Sequence, residues 1–157
     1  MILATLCYID NGREYLLLHR NKKEQDIHHG KWIGVGGKFE AGETPQECVV
    51  REVFEETGLT IQNPDLKGFI MFPKFDGTND WGVFVFVAKT FTGHLIQSDE
   101  GDLEWVAYHH VLDKPTWKGD TLFLKWLLTD QSFFSAKIIY ENGEFVTYSV
   151  DFKNAGI

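Results

Sequence analysis

Residues 37 to 59 constrain this 157-residue chain more than any other stretch, because both ends of a helix are written into them by local chemistry. Thr44 can cap the helix, Pro45 suits its first position, and Glu47 completes a capping box. Gly58 stands where a left-handed residue closes a helix. The spacing therefore predicts a helix over 44–57. At 3.6 residues per turn, Glu52, Glu55 and Glu56 fall at i, i+3 and i+4 and share a face, while Val49, Val53 and Phe54 are free to pack on a sheet. Like charges so close repel by roughly 0.2–0.5 kcal/mol per pair. Arg51 can relieve part of this, with Glu55 at i+4 or Glu47 at i−4.

A bare acidic face is usually a solvated one. The framing residues change that reading. Glu43 precedes the helix, and Gly36-Gly37-Lys38 precedes Glu43, where backbone without side chains can approach a ligand or a metal. Clustered carboxylates are hard oxygen donors of the kind that bind Mg²⁺ or Mn²⁺ together with phosphate oxygens. Two other phosphate-binding patterns are excluded. The run Gly34-Val35-Gly36-Gly37-Lys38-Phe39 lacks the spacing and the Ser or Thr of a P-loop, and no G-x-G-x-x-G opens a helix.

The rest of the chain reads as alternating strands with two helices. Strands are expected over 2–9, 15–18, 66–75, 81–91, 103–108, 136–140 and 145–150, and a second helix over 121–128. Asn11-Gly12 and Asn142-Gly143 signal hairpins, the first as a type I′ turn. Residues 21–31 read as a polar loop in which His28-His29 is solvated, since adjacent side chains seldom face one way. Many strands and two helices imply an α/β fold, a mixed sheet covered on both sides, in one domain over 1–157.

Composition narrows the function. The net charge of −8 argues against a nucleic-acid or polybasic membrane surface, and an anionic substrate then needs a cation as mediator. No apolar run approaches the ~20 residues of a membrane span, and the N-terminus lacks the pattern of a signal peptide. Cys7 and Cys48 have no metal or disulfide spacing and read as buried free thiols in a reducing cytoplasm. Nothing in the residues specifies an oligomeric state. Arg20, Lys22, Lys23, Lys31 and Lys38 form a locally basic stretch that either admits phosphates or is simply a solvated loop.

Taken together, Gly37, five residues, Glu43, seven residues, and Arg51-Glu52-Val53-Phe54-Glu55-Glu56-Thr57-Gly58-Leu59 match the Nudix box, G-x5-E-x7-R-E-U-x-E-E-x-G-U, at every defined position. A chance match is on the order of 10⁻⁹ per window. The resemblance implies a Nudix α/β/α sandwich and hydrolysis of a nucleoside diphosphate linked to another group. It implies Glu52, Glu55 and Glu56 as metal ligands, with the Gly37 carbonyl adding one, and Glu43 and Arg51 as residues that orient them.

Outside the box the chain resembles the MutT-type branch, and within it the 8-oxo-purine nucleoside triphosphate diphosphatases. The run from Lys31 to Lys38 matches the approach to the box, and Ser98-Asp99-Glu100 a loop that supplies a further carboxylate for the metal or for general-base work. Pro115 to Asp120 matches a segment where Trp117 stacks on the base and Asp120 reads its edge, and Phe72 falls in a pocket-lining strand. The bland alternatives are a core Trp117, an Asp120 that caps the second helix, a core Phe72 and a merely solvated Glu100. The implied substrate contacts are Lys23, Ile33, Gly36, Gly37, Lys38, Phe72, Trp117 and Asp120. Two departures stand out: mammalian members carry an Asn at the position of Ile33 and paired aspartates where this chain has Gly119-Asp120. The resemblance implies a Mg²⁺-dependent (or Mn²⁺-dependent) enzyme releasing a nucleoside monophosphate and pyrophosphate from 8-oxo-dGTP. Its rivals are a Nudix enzyme for ADP-ribose, a dinucleoside polyphosphate or a pyrimidine triphosphate, and a non-catalytic ligand-sensing module.

Overall fold

In a computed structural model describing residues 1–129 and 132–153, a mixed eight-stranded sheet forms the centre. The elements run β1 (Ile2–Asp10), β2 (Glu14–His19), β3 (Trp32–Ile33), α1 (Pro45–Thr57), β4 (Leu59–Gln62), β5 (Asp65–Phe72), β6 (Trp81–Ala88), β7 (Thr90–Gly93), β8 (Asp102–Ala107), α2 (Tyr108–Val111), α3 (Lys118–Leu128), β9 (Phe134–Glu141) and β10 (Glu144–Phe152). The strand order is β10-β9-β5-β6-β1-β2-β3, with β8 also paired to β2. β1 runs parallel to β6 along its whole length, from Ile2↔Trp81 to Ile9↔Ala88.

Alternation along the central strands builds two cores at once. Tyr8, Leu17, Val85 and Val87 face one cluster, which holds Phe123, Leu124 and Leu127 of α3. Cys7, Ile9, Leu16, Leu18, Phe86 and Ala88 face the other, which holds Val49 and Val53 of α1. The sheet is thus covered on both faces, as an α/β/α sandwich requires. Cys7 and Cys48 are both buried and free. Among the described residues no helix is long and apolar enough to cross a membrane.

The helix α1 ends as its sequence predicts. Thr44 Oγ1 accepts from the Glu47 N–H at 3.1 Å, and the Glu47 carboxylate accepts from the Thr44 N–H at 2.9 Å. Gly58 takes φ 80° and its N–H returns to the Phe54 carbonyl. Phe54 departs from expectation and is 50% exposed. It sits one residue, about 100°, past Val53 and so turns off the sheet-facing side.

Other boundaries shift for local reasons. The Asn11-Gly12 turn is not type I′, because only Gly12 has positive φ; Asn11 Oδ1 accepts from the N–H groups of Arg13 and Glu14 instead, an Asx arrangement. At the second hairpin both Asn142 (φ 52°) and Gly143 (φ 78°) are left-handed, and Glu141 pairs with Glu144, as in a type I′ loop. The strand expected over 66–75 stops at Phe72, and the one over 81–91 divides into β6 and β7, the latter pairing with β4 in a separate two-stranded sheet. The helix expected from Thr121 starts at Lys118.

Gly58 is required by more than its φ. A Cβ there would lie 2.6 Å from the His94 carbonyl oxygen, at the join between α1 and the small sheet. Gly58→Ala is therefore expected to destabilise the protein by about 1–3 kcal/mol, read as a lowered urea midpoint with an unchanged slope.

Candidate active site

The strip from Val35 to Phe39 follows β3 and lies along β1. Cys7 and Val35 exchange backbone hydrogen bonds at 2.6 and 3.0 Å, Thr5 N–H donates to the Gly37 carbonyl at 2.9 Å, and Phe39 N–H donates to the Leu3 carbonyl at 3.0 Å. On its other side the strip meets α1. A Cβ on Gly36 would fall 2.1 Å from the Thr5 carbonyl oxygen, and one on Gly37 would fall 2.5 Å from the Glu52 carboxyl carbon. At Gly36 only bare backbone fits against β1, and at Gly37 a side chain would take the place of the Glu52 carboxylate.

The carboxylates of α1 part company according to their place on the helix. Glu56 stands seven residues, nearly two turns, beyond Val49, so it points at the sheet among the buried residues. Its Oε2 accepts from the Gly36 N–H at 3.0 Å. Burial, opposed by that hydrogen bond and reinforced by the nearby Glu52 charge, pushes its pKa up to about 7. The Glu52 side chain is 17% exposed and that of Glu55 57%. Among the described residues, no three His, Cys, Asp or Glu side chains form a ready-made metal cage; Glu52 and Glu55 share a donor on Arg51, and Glu56 rests on the Gly36 N–H.

Arg51 is the hub of those donors. Its Nε and Nη2 grip the Glu43 carboxylate at 2.6 and 2.9 Å. Nη1 reaches Glu52 at 2.8 Å and Glu55 at 3.1 Å, and Nη2 also donates to the Lys38 carbonyl at 3.1 Å. The fork geometry of a guanidinium allows this division of donors. The Glu55 partner is the expected one; Glu47 is occupied by the capping box. The Arg51 guanidinium holds the Glu43 carboxyl down at about 2.

Glu100 comes from the loop before β8. It pairs with Arg20 Nη2 and Lys23 Nζ, both at 3.1 Å. Arg20 also pairs with Asp26 at 2.7 Å, and Lys22 Nζ donates to the Ser98 carbonyl at 2.6 Å. Of the basic stretch, Arg20, Lys22 and Lys23 tie the 20–31 segment to the Glu100 loop, while Arg20 and Lys38 line the cavity.

A cavity of about 420 Å³ joins these groups to an aromatic chamber. Its wall includes Glu52, Glu56, Glu100, Arg20, Gly36, Gly37 and Lys38, and also Ile33, Phe72, Phe75, Trp117, Asp120, Tyr140 and His28. Glu43, Arg51 and Glu55 stand behind or beside that wall. Lys23, expected to touch substrate, is also outside it, because its ammonium is directed to Glu100. The Gly37 carbonyl, expected as a metal donor, accepts from the Thr5 N–H at 2.9 Å with Cys48 Sγ 3.6 Å away, and Gly37 itself lines the cavity.

Trp117 is 8% exposed and is both core and cavity wall. The Lys31 ammonium lies 4.4 Å over its ring, and Phe75 and Tyr140 meet it edge-on at 5.2 and 5.4 Å. Phe72 packs edge-on to Phe75 at 5.7 Å. Asp120 does not cap α3, which begins two residues earlier; it is 7% exposed and faces the cavity. Burial pushes its pKa up to about 7 against weak support from Thr116, whose Oγ1 lies 3.5 Å away. Gly119 has a local cause as well. Its N–H donates to the Tyr140 hydroxyl at 2.7 Å, and a Cβ at residue 119 would sit 2.7 Å from that oxygen. Tyr140 therefore occupies the room that a side chain at 119 would need.

The residues that sequence reading missed are His28, Phe75 and Tyr140. His28 was expected in solvent, yet it lines the cavity and its Nδ1 lies 2.7 Å from Trp117 Nε1. No local pattern announces that contact, which joins residues 89 apart in the chain. His29 does face outward, as its exposed ring shows.

Comparison with known proteins agrees with this arrangement. A NUDIX domain model matches residues 2–127. The uncharacterised Nudix hydrolase YvcI of Bacillus subtilis is 33% identical over 153 residues, covering 94% of this chain and 93% of its own. The oxidized purine nucleoside triphosphate hydrolase of Danio rerio is 30% identical over 132 residues, covering 84% and 82%. The crystal structure of the MutT protein from Bacillus halodurans matches with a TM-score of 0.87 at 34% identity, covering 96% of this chain and 98% of that one. A match that opens on β1 and closes in the last turn of α3 spans every element that shapes the cavity up to β9, and this chain belongs to the Nudix family of pyrophosphohydrolases.

Proposed function

We propose that this Nudix hydrolase is a Mg²⁺-dependent nucleoside triphosphate diphosphatase that prefers oxidised purine nucleotides such as 8-oxo-dGTP and releases the nucleoside monophosphate and pyrophosphate. The observation that carries the proposal is the shared cavity. Carboxylates suited to a metal and to phosphate line the same space as an aromatic chamber suited to a flat base. Relatives named for oxidised purine nucleotides support the choice of base. The reading includes one domain over residues 1–157 and a free nucleotide as partner, with no nucleic acid or membrane. It places the protein in the cytoplasm, in keeping with a net charge of −8 and two buried free thiols.

The residues fit a divalent cation. Glu52, Glu56 and Glu100 offer only hard oxygens, and Glu56 is a half-buried carboxyl whose ionisation is opposed by desolvation and nearby negative charge. In this reading Glu52, Glu56 and Glu100 hold Mg²⁺, or Mn²⁺, which suits the same donors, and Glu55 joins from the exposed flank. A bound ion supplies charge neutralisation on the phosphates and a more acidic water. Arg51 and Glu43 position Glu52; Gly36 N–H positions Glu56. Lys38 stands at the cavity wall to meet phosphate oxygens. The proton of the attacking water passes to one of the lining carboxylates. Trp117, Phe72 and Ile33 enclose the base, and Asp120 meets its edge.

The direct test is pyrophosphate release with Mg²⁺ from a panel of oxidised and normal nucleotides. Faster turnover of 8-oxo-dGTP than of dGTP is expected; equal rates remove the sanitising role, and hydrolysis of ADP-ribose alone replaces it.

Site variants rank the carboxylates. Arg51→Lys keeps the charge but loses the fork, and about 10–100-fold lower activity is expected. Glu56→Gln is expected to cost more than that, with its thermal melting point retained. Unchanged hydrolysis by Glu56→Gln and Glu55→Gln together would remove the metal assignment.

Asp120 carries a pH signature. Its pKa rises from 3.8 to about 7 on folding. The folded state then holds a proton that the unfolded chain has released, so stability falls as pH rises between about 4 and 7. Asp120→Asn is expected to be more stable than wild type at pH 8, with the difference vanishing near pH 4, in urea titrations at the two pH values.

A further inference from the structure

One cavity-lining side chain has its chemistry dictated by a neighbour. The indole N–H of Trp117 can only donate, and it points at His28 Nδ1 at 2.7 Å. Nδ1 must therefore be the acceptor, which puts the ring proton on Nε2. Burial, with the Arg20 charge nearby, lowers the His28 pKa to about 4, so the ring is neutral at physiological pH and the tautomer is single. The position is rigid as well. The His28 N–H donates to Asp26 Oδ1 at 3.1 Å, Asp26 is held by Arg20, and the imidazole lies near-parallel to Phe75, 6.5 Å between centroids. Among the described residues Nε2 has no hydrogen-bond partner, and the ring lines the cavity.

We propose that His28 is a base-reading residue, whose Nε2–H, fixed by Trp117 as the sole tautomer, donates to a carbonyl oxygen or ring nitrogen on the edge of the bound base. The inference rests on the nucleotide reading above and sharpens it. Across much of the chamber the wall is apolar, from Ile33, Phe72, Phe75 and Phe123. An apolar wall discriminates weakly, whereas a placed donor discriminates strongly. His28 supplies such a donor on a wall where Ile33 cannot. The Tyr140 hydroxyl, already accepting from Gly119, retains a proton of its own to give. A donor pair beside Asp120 favours a base whose edge is rich in acceptors.

The test compares wild type, His28→Phe and His28→Gln in steady-state hydrolysis of 8-oxo-dGTP, dGTP, dCTP and dTTP, with thermal melts to confirm folding. His28→Phe keeps a ring against Phe75 and removes the donor. It is expected to raise KM for the preferred nucleotide about tenfold, to move kcat less than twofold, and to narrow the spread among bases. His28→Gln, which retains an N–H donor, is expected to recover part of the selectivity. An equal loss on every base, or an unchanged ratio between bases, overturns the proposal.

A second measurement is independent of turnover. Long-range ¹⁵N–¹H spectra of the wild-type protein are expected to show His28 as the Nε2–H tautomer, and its Nε2 signal to shift on adding 8-oxo-dGMP or dGMP. An Nδ1–H tautomer, or no shift with either nucleotide, overturns the inference. Wild type that hydrolyses no triphosphate but still shows the shift overturns the proposed reaction while leaving the base contact standing.

Discussion

The catalytic side of this molecule depends on a strip of bare backbone wedged between a strand and a helix. A Cβ on Gly36 would lie 2.1 Å from the Thr5 carbonyl oxygen of β1, and one on Gly37 would lie 2.5 Å from the carboxyl carbon of Glu52 on α1. That closeness lets Gly36 N–H reach Glu56, and lets the Lys38 carbonyl reach Arg51. A side chain at Gly36 would push the strip off the β1 backbone, and one at Gly37 would displace the Glu52 carboxylate. The glycines of the motif are thus steric requirements of the same contact that the glutamates exploit.

Around this wedge the charged groups form two separate nets. One is centred on Arg51, which joins Glu43, Glu52 and Glu55 on the outer flank of α1. The other is centred on Arg20, which joins Asp26 and Glu100 and ties the long loop after β2 to the loop before β8. Between them stands Glu56, half-buried, with a backbone N–H as its hydrogen-bond partner. A carboxyl in that position is costly when charged and alone, which is why the proposed reading puts a divalent ion beside it.

The other end of the cavity is organised by aromatic edges. Trp117, Phe75, Tyr140 and Phe72 meet each other at 5–7 Å centroid distances, mostly edge-on, which leaves ring faces and a few polar atoms toward the cavity. The departures from the mammalian pattern have a common logic here. Gly119 makes room for the Tyr140 hydroxyl, and His28 enters from a loop, so polar groups reach the chamber from β9 and from the 20–31 segment.

The sequence by itself determined the helix α1, its two caps, the face shared by its glutamates and the family to which the chain belongs. Each of these is set by residues within a few turns of one another, where spacing and geometry coincide. The cover on both sides of the sheet was also legible, from many strands accompanied by two helices. Only the tertiary structure decided which glutamates are covered, with Glu52 and Glu56 half-buried and Glu55 exposed, because the three share a face in sequence while the sheet covers that face unevenly. It also decided that Lys23 turns to Glu100, that the Gly37 carbonyl accepts from the Thr5 N–H, and that His28 faces the cavity. Those outcomes depend on partners 11 to 89 residues away, brought together by strand order, and no local periodicity encodes such distances.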